Sequence, residues 1–482
     1  MKLSELWPSV NPAQDREITR VTSDSRAVEP GALFVAVRGS RFDGHTLVGE
    51  AARKGAAAVF AEHPVDCGVP VFVVENTREA YGILSAAFWG NPSARMDLYG
   101  VTGTNGKTTI STLLCQLLTE SGRLCGLIGT IENRIGAMTI PAKFTTPEPS
   151  ELHPLFSRME KAGCRCVSME VSSMALDQRR LSGCRFKVGI FTNLTQDHLD
   201  YHGSMENYFD AKCRLFSLCE NAVVNLDDPY GRALCERLPS SCRLYTFSAS
   251  DPSADFFAED VRLHPRGVDF TLRTSAGRYP AALSMPGQFA VENALAALGG
   301  AIAGGMNPAD AAAHLRDCRG VRGRMEVLAP APGVRDPGFT VICDYAHSDD
   351  SLEKAIGAVK SFASGKVWAL FGPAGCRDRT KRPKMALAAA KYADFVVLTS
   401  DNPRTEPPEQ ILDDAEPALR ESGVPYKRIV DRFEAIRWVL GQAAPGDVVM
   451  LCGKGHENYQ VLAEQTIYFD EHEIVRELLK AL

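Results

Sequence analysis

The sequence has little of what marks an exported, membrane-spanning or metal-rich protein. Its 14 cysteines form no C-x-x-C pair and do not alternate with histidines at zinc-ligand spacing. No apolar run approaches the roughly 18 residues of a membrane span. The first residues, MKLSELWPSVNPAQDREI, lack the apolar core of a signal peptide. We therefore expect a cytoplasmic protein without membrane insertion, whose thiols are reduced and mostly buried.

Positive charge is not in excess either. Lys and Arg total 53 against 59 Asp and Glu, which gives a net charge of −6. General nucleic-acid binding depends on neutralising phosphates, so we expect no nucleic-acid partner, although local basic pockets for small anions stay open. Apolar residues make up 45% of the chain, which excludes disorder throughout. A length of 482 residues suggests about three domains.

Apolar runs that alternate with helical stretches predict an α/β protein of three domains. We place the domains at residues 1–97, 98–330 and 331–482, with the turn cluster at residues 90–93 and the Pro- and Gly-rich stretch at residues 329–338 near the boundaries. Apolar runs at residues 97–102, 166–171, 188–194 and 222–226 are typical of a mostly parallel, doubly wound central sheet. A third alternation begins at residue 341. Residues 257–273 and 279–284 are predicted to be antiparallel strands.

The strongest motif is Gly103-Thr104-Asn105-Gly106-Lys107-Thr108-Thr109, between a predicted strand and a predicted helix from Lys107 to about residue 121. Glycines let backbone N–H groups approach phosphate oxygens, and the helix N-terminus adds positive potential. Lys107 can reach terminal phosphates, and Thr108 offers a hydroxyl to Mg²⁺. Val101 stands where the usual phosphate loop has its first glycine, so the shorter loop points to a special family.

Polar loops follow several other predicted strands. They include residues 169–173, 192–203, 344–347, 372–378, 401–404 and 453–457. Ligand-binding groups gather at strand carboxyl ends in such sheets. Any one loop could be a solvated turn, but their number favours a shared ligand site.

The order and spacing of these motifs resemble those of the Mur ligase family, and the loop GTNGKTT is also similar to the ATP loop of folylpolyglutamate synthetases. The resemblance covers essentially the whole chain. It implies a small α/β N-terminal domain that binds a UDP-sugar, a central P-loop ATPase-like domain with a mostly parallel sheet, and a Rossmann-like C-terminal domain that binds an amino acid. It also implies an ATP-dependent amide ligase of peptidoglycan precursor synthesis.

The resemblance carries roles to particular residues. The implied catalytic residues are Lys107, Glu170, His198 and Lys212, and the implied Mg²⁺ ligands are Thr108, Glu170, His198 and Lys212, the last as a CO₂-derived carbamate. The implied ATP-binding residues are Gly103, Thr104, Asn105, Gly106, Lys107, Thr108, Thr109, Asn293, Arg324, Asp344 and His347.

Two further residue sets are implied for the other substrates. For the UDP-muramoyl dipeptide they are Ser23, Ser25, Thr145, Thr146, Ser172, Gln178 and Arg180. For the amino acid they are Arg377, Asp401, Asn402, Pro403, Arg404, Gly453 and Glu457. The family's D-N-P-R loop goes with meso-2,6-diaminopimelate, because its arginine can bind the distal carboxylate bidentately and lysine has none.

The sequence departs from the family pattern at three places. Pro373-Ala374-Gly375-Cys376 replaces a loop that usually has more glycine, and Ala290 stands where asparagine is common. His347-Ser348-Asp349 stands where the family usually has histidine, then threonine, asparagine or serine, then proline. Because Arg377 and His347 are retained, we expect activity.

Alternatives stay open on sequence alone. The same ligase could take L-lysine, the chain could be a folylpolyglutamate synthetase-like ligase, or it could be a nucleotide-binding protein without ligase activity. The predicted partners are UDP-N-acetylmuramoyl-L-alanyl-D-glutamate and meso-diaminopimelate, and we expect a monomer.

Overall fold

Four short parallel strands form the N-terminal sheet of this computed structural model, which describes residues 1–39, 42–331 and 333–481. In order they are β1 Arg20–Thr22, β2 Ala32–Val35, β3 Ala58–Ala61 and β4 Val71–Val73. The helices of this region are α1 Leu3–Leu6, α2 Val48–Arg53 and α3 Thr77–Phe88. Both faces of β2 and β3 are buried, which explains their uninterrupted apolar sequence.

The central sheet surrounds the strand that precedes the glycine-rich loop. Its strands are β5 Asp97–Thr102, β6 Cys125–Ile128, β7 Glu132–Ile135, β8 Met138–Pro141, β9 Cys166–Glu170, β10 Phe186–Phe191, β11 Cys219–Asn225 and β12 Arg243–Ser248. They follow the order β12-β11-β10-β5-β9-β6-β7-β8, parallel from β12 to β6 and antiparallel in the β6-β7-β8 edge. The helices are α4 Lys107–Glu120, α5 Pro149–Lys161, α6 Ser173–Asp177, α7 Leu199–His202, α8 Met205–Cys213 and α9 Pro229–Cys235.

The following elements are divided between two compact units of the chain. They are β13 Phe256–His264, β14 Gly267–Thr274, β15 Gly277–Leu283, α10 Gln288–Ala303 and α11 Pro308–Leu315. The first unit comprises Met1–Phe257, Arg273–Gly277 and Leu295–His314. The second comprises Ala258–Leu272, Arg278–Ala294 and Leu315–Leu482.

The second unit contains a six-stranded sheet. Its strands are β16 Glu326–Val327, β17 Thr340–Asp344, β18 Val367–Phe371, β19 Phe395–Leu398, β20 Tyr426–Arg428 and β21 Val448–Cys452, in the order β16-β17-β21-β18-β19-β20. Only β16 is antiparallel. The helices are α12 Asp349–Lys360, α13 Lys381–Tyr392, α14 Pro408–Ser422, α15 Arg432–Gln442 and α16 Glu471–Ala481, and β22 Tyr459–Val461 pairs with β23 Thr466–Tyr468.

The predicted α/β class is confirmed, with an N-terminal domain, a large mostly parallel central sheet and a C-terminal sheet domain. The predicted boundaries at residues 97 and 330 stay predictions, and Pro332, in the predicted boundary stretch, lies outside the described residues. The first predicted antiparallel stretch divides into β13 and β14 around Pro265 and Arg266. Sequence analysis did not predict the β7–β8 hairpin, whose strands are only four residues long.

Candidate active site

The glycine-rich loop joins β5 to α4. Gly103 has a φ of +151°, and a Cβ at this position would lie 1.9 Å from Thr192 Oγ1, so only glycine fits. Gly106, with a φ of +86°, is the N-cap of α4, and glycine adopts this left-handed conformation without steric cost. The loop therefore leads directly into a helix N-terminus, which is an anion-binding arrangement.

Hydrogen bonds from the segment after β10 hold this loop in shape. The backbone N–H of Thr104 donates to Asn193 O over 2.9 Å, and that of Asn105 donates to Asn193 Oδ1 over 2.9 Å. Thr192 Oγ1 donates to Asn105 O over 2.7 Å, and the Thr195 N–H donates to Thr104 Oγ1 over 3.0 Å. Two of the predicted strand-end loops thus form one network.

Two lysines converge on one carbonyl oxygen of the loop. Lys107 Nζ donates to Gly103 O and Thr104 O, both over 2.9 Å, and Lys212 Nζ donates to Gly103 O over 2.8 Å. Lys212 is 1% exposed and its Nζ lies 4.6 Å from the centroid of the Tyr208 ring. Burial and then the charge of Lys107 hold the pKa of Lys212 well below its usual value. Burial and the neighbouring lysine therefore both disfavour the charged form of Lys212.

Glu170 ends β9 beside the same loop, with its side chain buried. Its Oε1 accepts from the Thr130 N–H over 2.8 Å, and its Oε2 accepts from Thr130 Oγ1 over 3.0 Å. Burial lowers the pKa of Lys107, and the negative charges of Glu170 and Asp197 oppose that shift. Both carboxylates therefore interact electrostatically with the loop lysine. Sequence analysis selected Glu170 but not Thr130 or Asp197.

His198 begins α7 as its N-cap, with a φ of +52°. Its ring centroid lies 6.1 Å from that of Tyr208, and its Nε2 lies 3.5 Å from Asp197 Oδ2. Thr108 and Thr109 lie in the first turn of α4. Within residues 1–39, 42–331 and 333–481, no three His, Cys, Asp or Glu side chains are grouped closely enough to hold a metal ion. The predicted metal ligands instead combine one carboxylate and one imidazole with a hydroxyl and a lysine.

Four residues predicted to hold the dipeptide form one hydrogen-bonded cluster. Thr146 Oγ1 donates to Glu170 O over 2.9 Å and accepts from the Ser172 N–H over 3.0 Å. Arg180 Nη1 donates to Thr146 O over 2.8 Å, and its Nη2 donates to Gln178 Oε1 over 2.7 Å. The cluster begins at the backbone carbonyl of Glu170 and ends at the guanidinium group of Arg180.

Arg180 is the cation of this cluster. Its side chain is 12% exposed and its Nη2 lies 2.9 Å from Glu148 Oε1. The fifth predicted dipeptide residue, Thr145, has its Oγ1 3.0 Å from Thr130 Oγ1. Hydrogen bonds through Glu170 and Thr130 therefore connect these five residues to one another.

Ser23 and Ser25 follow β1 in the N-terminal domain, and Ser25 begins a 3-10 turn. The buried hydroxyl of Tyr81 in α3 connects this region to α5. Burial raises the pKa of Tyr81, and hydrogen bonds with Ser150 and Ser23 oppose that rise. The negative charge of Glu148, which pairs with Arg180, raises the pKa of Tyr81 further. Tyr81 was not selected from sequence, because one tyrosine in an amphipathic helix is indistinguishable from a core residue.

In the second unit, Asp344 organises the loop that follows β17. Its Oδ2 accepts from the Met325 N–H and its Oδ1 from the Ala346 N–H, both over 2.8 Å. Burial raises the pKa of Asp344, while these N–H groups and Arg324 oppose the rise. The Arg324 guanidinium lies 5.0 Å from the centroid of the Tyr345 ring. Arg324 and Asp344, two of the residues predicted to bind ATP in this unit, thus interact electrostatically.

The two other predicted ATP-binding residues of this unit differ in setting. His347 is exposed, and its Nδ1 lies 2.8 Å from Tyr345 O. Asn293 lies half-buried within α10.

A cavity of about 410 Å³ lies at the carboxyl ends of the C-terminal strands. Six of the seven residues predicted to bind the amino acid line it, namely Arg377, Asp401, Asn402, Arg404, Gly453 and Glu457. His347 also lines it. Pro403 is not among the lining residues, and its carbonyl instead packs against Gly375. With Asp378, Lys381 and Arg382 also in its lining, the cavity combines three guanidinium groups and one lysine with three carboxylates.

The altered loop at residues 372–378 retains the one glycine that this packing requires. A Cβ on Gly375 would lie 1.9 Å from Pro403 O. The Gly375 carbonyl accepts from Arg404 Nη1 over 2.7 Å. Pro373 and Ala374 line the cavity without displacing Arg377 from it. The Gly375 carbonyl of this loop thus positions the Arg404 guanidinium group in the cavity wall.

Left-handed backbone conformations cluster at these loops. Of the seven non-glycine residues with positive φ in the described chain, five lie at or next to predicted site residues: Arg179, His198, Met325, Cys376 and Arg404. Each such conformation costs a residue with a Cβ about 1–2 kcal/mol. Strain of this kind persists where surrounding contacts hold it, often at functional sites.

The cysteines add no further site. All 14 are free, ten are buried and only Cys376 is exposed, which confirms the expectation of mostly buried cysteines. In the part of the chain that the structure describes, no helix is both long and apolar enough to cross a membrane.

The α/β framework carries a phosphate loop with two converging lysines, and a cavity lined by both positively and negatively charged side chains. This combination defines a nucleotide-dependent ligase. Residues 17–89 match the Mur ligase family, catalytic domain, residues 101–301 match the Mur ligase middle domain, and residues 323–455 match the Mur ligase, glutamate ligase domain. The chain belongs to the Mur ligase family. It is accordingly an ATP-dependent ligase of peptidoglycan precursor synthesis.

Relatives cover the chain from end to end. UDP-N-acetylmuramoyl-L-alanyl-D-glutamate–2,6-diaminopimelate ligase of Geobacillus thermodenitrificans is 43% identical over 99% of this chain and 98% of its own length. The protein of that name from Synechocystis is 43% identical over 97% and 94%. A solved structure of a ligase with that name has 35% identity and a TM-score of 0.81, covering 100% of this chain and 99% of its own. The MurF ligase of Thermotoga maritima, solved with ADP, shares the fold at 21% identity and a TM-score of 0.56, covering 96% and 97%.

Proposed function

We propose that this enzyme joins meso-2,6-diaminopimelate to the D-glutamate of UDP-N-acetylmuramoyl-L-alanyl-D-glutamate, with cleavage of ATP to ADP and phosphate. The names of the relatives support this substrate pair. The single observation that carries the choice of amino acid is the cavity lined by Arg377, Arg404 and Glu457. The distal end of diaminopimelate has a carboxylate for the arginines and an ammonium for Glu457. L-Lysine would leave the guanidinium groups without an anionic partner.

In the first step, an oxygen of the dipeptide's D-glutamate carboxylate attacks the γ-phosphorus of ATP. The new O–P bond forms as the bond to the ADP oxygen breaks, which gives an acyl phosphate and ADP. Phosphoryl transfer relies mainly on positioning and charge stabilisation. Lys107 exchanges its bonds to Gly103 O and Thr104 O for phosphate oxygens, and the N–H groups at the start of α4 add further donors.

In the second step, the amine of diaminopimelate attacks the acyl carbonyl carbon. The C–N bond forms, the C–O bond to phosphate breaks, and inorganic phosphate leaves while the amine loses a proton. The C-terminal cavity holds the distal end of the amino acid for this attack. Arg180, Gln178, Thr146, Thr145 and Ser172 hold the dipeptide, and Ser23 and Ser25 contact the UDP part.

Thr108, Glu170, His198 and a modified Lys212 would hold Mg²⁺. The donor set fits this cation, because Mg²⁺ prefers oxygen ligands. Among the described residues, the Glu170 carboxylate accepts two hydrogen bonds, both from Thr130, and a carboxylate has roughly four acceptor positions. Bound Mg²⁺ would neutralise charge on the phosphate oxygens. Asn293, Arg324, Asp344 and His347 complete the proposed ATP-binding set with residues 103–109.

Lys212 is proposed to carry a carbamate. Its neutral amine attacks CO₂, the N–C bond forms and one proton is released, which converts a potential cation into an anion. The buried position and lowered pKa of Lys212 support this reaction, because only the unprotonated amine is nucleophilic. Intact mass measured from bicarbonate buffer, under conditions that retain carbamates, should exceed the mass calculated from the sequence by one CO₂, whereas Lys212→Met treated alike should match its own calculated mass. A wild-type mass equal to the calculated one would refute the modification.

The substrate proposal is tested by phosphate release with ATP, UDP-muramoyl dipeptide and one of three acceptors. Release with diaminopimelate but not with lysine or glutamate is expected. Release with lysine alone would overturn the amino-acid assignment, and release with glutamate on a folate substrate would favour the folylpolyglutamate alternative. The monomeric state and the domain boundaries at residues 97 and 330 stay predictions, to be checked by light scattering and limited proteolysis.

A further inference from the structure

A fully buried lysine lies beneath the floor of the C-terminal cavity, which is the part of its lining formed by Asp401, Asn402 and Glu457. Lys454 lies between Gly453 and Gly455 after β21, and its side chain is 0% exposed. Its Nζ donates to Asn402 Oδ1 over 2.7 Å and to Tyr459 O over 2.8 Å. It is also 3.2 Å from Asp401 Oδ1 and 3.5 Å from Glu457 Oε2. One ammonium group therefore connects two strand-end loops that face the cavity.

This contact determines which way Asn402 points. Its Oδ1 accepts from both Lys454 Nζ, over 2.7 Å, and the Val461 N–H, over 2.9 Å. Its Nδ2 can then only face the other way, where it donates to Glu457 Oε2 over 3.0 Å. With Oε2 engaged, Oε1 of Glu457 is the oxygen left for a ligand, and Tyr345 Oη donates to it over 3.5 Å.

The same ammonium determines the charge of the floor. Asp401 and Glu457 are two carboxylates, with 7% and 13% of their side chains exposed. Lys454 compensates one of these charges and leaves the floor with a single net negative charge. That charge matches one ligand ammonium. A floor with two negative charges would instead repel a ligand carboxylate and favour a purely cationic end.

We propose that Lys454 is a positioning residue that selects an amino acid with a zwitterionic distal end. It acts through Asn402 and Glu457 rather than by touching the ligand. The inference rests on the proposed function, since it assumes diaminopimelate as the acceptor. It predicts that loss of the Lys454 charge weakens use of diaminopimelate and shifts selectivity towards L-lysine.

The test compares Lys454→Met with wild type by phosphate release. The kcat/KM for diaminopimelate should fall about 10- to 100-fold, as expected for losing hydrogen bonds to a charged group. Most of this change should be in the KM for diaminopimelate, with the KM for ATP changed less than about twofold. The ratio of lysine to diaminopimelate turnover should rise. Lys454→Gln, which keeps a donor but not the charge, should show the same rise with a smaller loss of activity.

A second substitution separates charge from folding. Asp401→Asn added to Lys454→Met restores a single negative charge to the floor, so the selectivity ratio should return towards the wild-type value. Lys360→Met, which removes an exposed lysine bonded to Asp394 in the same unit, should match wild type and serves as the control. An unchanged selectivity ratio in both Lys454 variants, or equal losses for ATP and diaminopimelate, would overturn the inference. No release by wild type with diaminopimelate would refute the proposed function itself.

Discussion

Replacing Arg432 by methionine should destabilise the C-terminal sheet severely. Arg432 begins α15, and its side chain and that of Glu471 in α16 are both 0% exposed. Its Nε donates to Glu471 Oε1 over 2.7 Å, and its Nη2 and Nη1 donate to Cys452 O over 2.8 Å and Ser400 O over 3.4 Å. These carbonyls lie next to the loops that form the cavity floor.

The expected cost follows from what the substitution leaves behind. Arg432→Met strands the Glu471 carboxylate in the interior, and breaking a buried pair in this way costs about 3–5 kcal/mol. Replacing both partners, as in Arg432→Met with Glu471→Leu, removes the stranded charge. It still removes the arginine's hydrogen bonds to two carbonyls, which costs up to about 1–3 kcal/mol each. The double variant should therefore be more stable than Arg432→Met alone, by about 1–2 kcal/mol.

Urea unfolding followed by tryptophan fluorescence measures this difference. The sequence has four tryptophans, and Trp368 and Trp438 contact each other in the C-terminal core. A background with Trp7→Phe and Trp89→Phe leaves only that pair to report. A double variant as unstable as Arg432→Met, or less stable, would refute the reasoning. Arg432→Met should also raise the KM for diaminopimelate, because the two carbonyls precede Asp401 and Gly453.

Three further predictions each concern a single residue. Burial lowers the pKa of His153 to about 4 from 6.5. As the pH falls from 6.5 to 4, the unfolded chain therefore binds the proton before the folded chain does, and the free energy of unfolding decreases by up to about 3 kcal/mol. His153→Leu should remove this decrease, which urea unfolding across that pH range would measure. Gly103→Ala should abolish binding of a fluorescent ATP analogue, because the new Cβ would clash with Thr192. The control Gly122→Ala should bind the analogue normally, because Gly122 also has a positive φ but has open space around it. Arg404→Ala should raise the KM for diaminopimelate about tenfold or more with little change in the KM for ATP, and equal changes in both would contradict its place in the cavity wall.

Sequence patterns were sufficient for four parallel strands of the central sheet, and the family resemblance supplied most of the cavity residues. Buried strands such as β5 and β21 are continuous apolar runs, and the loops after them carry glycines and charged residues that no core would use. Parallel topology brings these strand ends together, so six separately chosen residues line one cavity.

Residues that act through other residues were harder to find. Lys454 lies in the strand-end loop at residues 453–457, which the sequence analysis had selected. Its contacts, however, are with Asn402, about 50 positions before it, and with Glu457, three positions after it. Thr130 precedes a hairpin of two four-residue strands, too short for an alternation pattern to be distinctive. Such contacts are set by packing between distant segments, which local periodicity does not encode.

The order of strands in the C-terminal sheet has a consequence for biosynthesis. β21 is the last of the six strands to be translated, yet it lies between β17 and β18. Until residues 448–452 leave the ribosome, the nascent chain holds two strands with unpaired inner edges, which are prone to pairing with other chains. The acceptor cavity and its floor can therefore form only after synthesis of the last tenth of the protein has begun. Truncation or slow translation near that point should lead to aggregation rather than to a partly active enzyme.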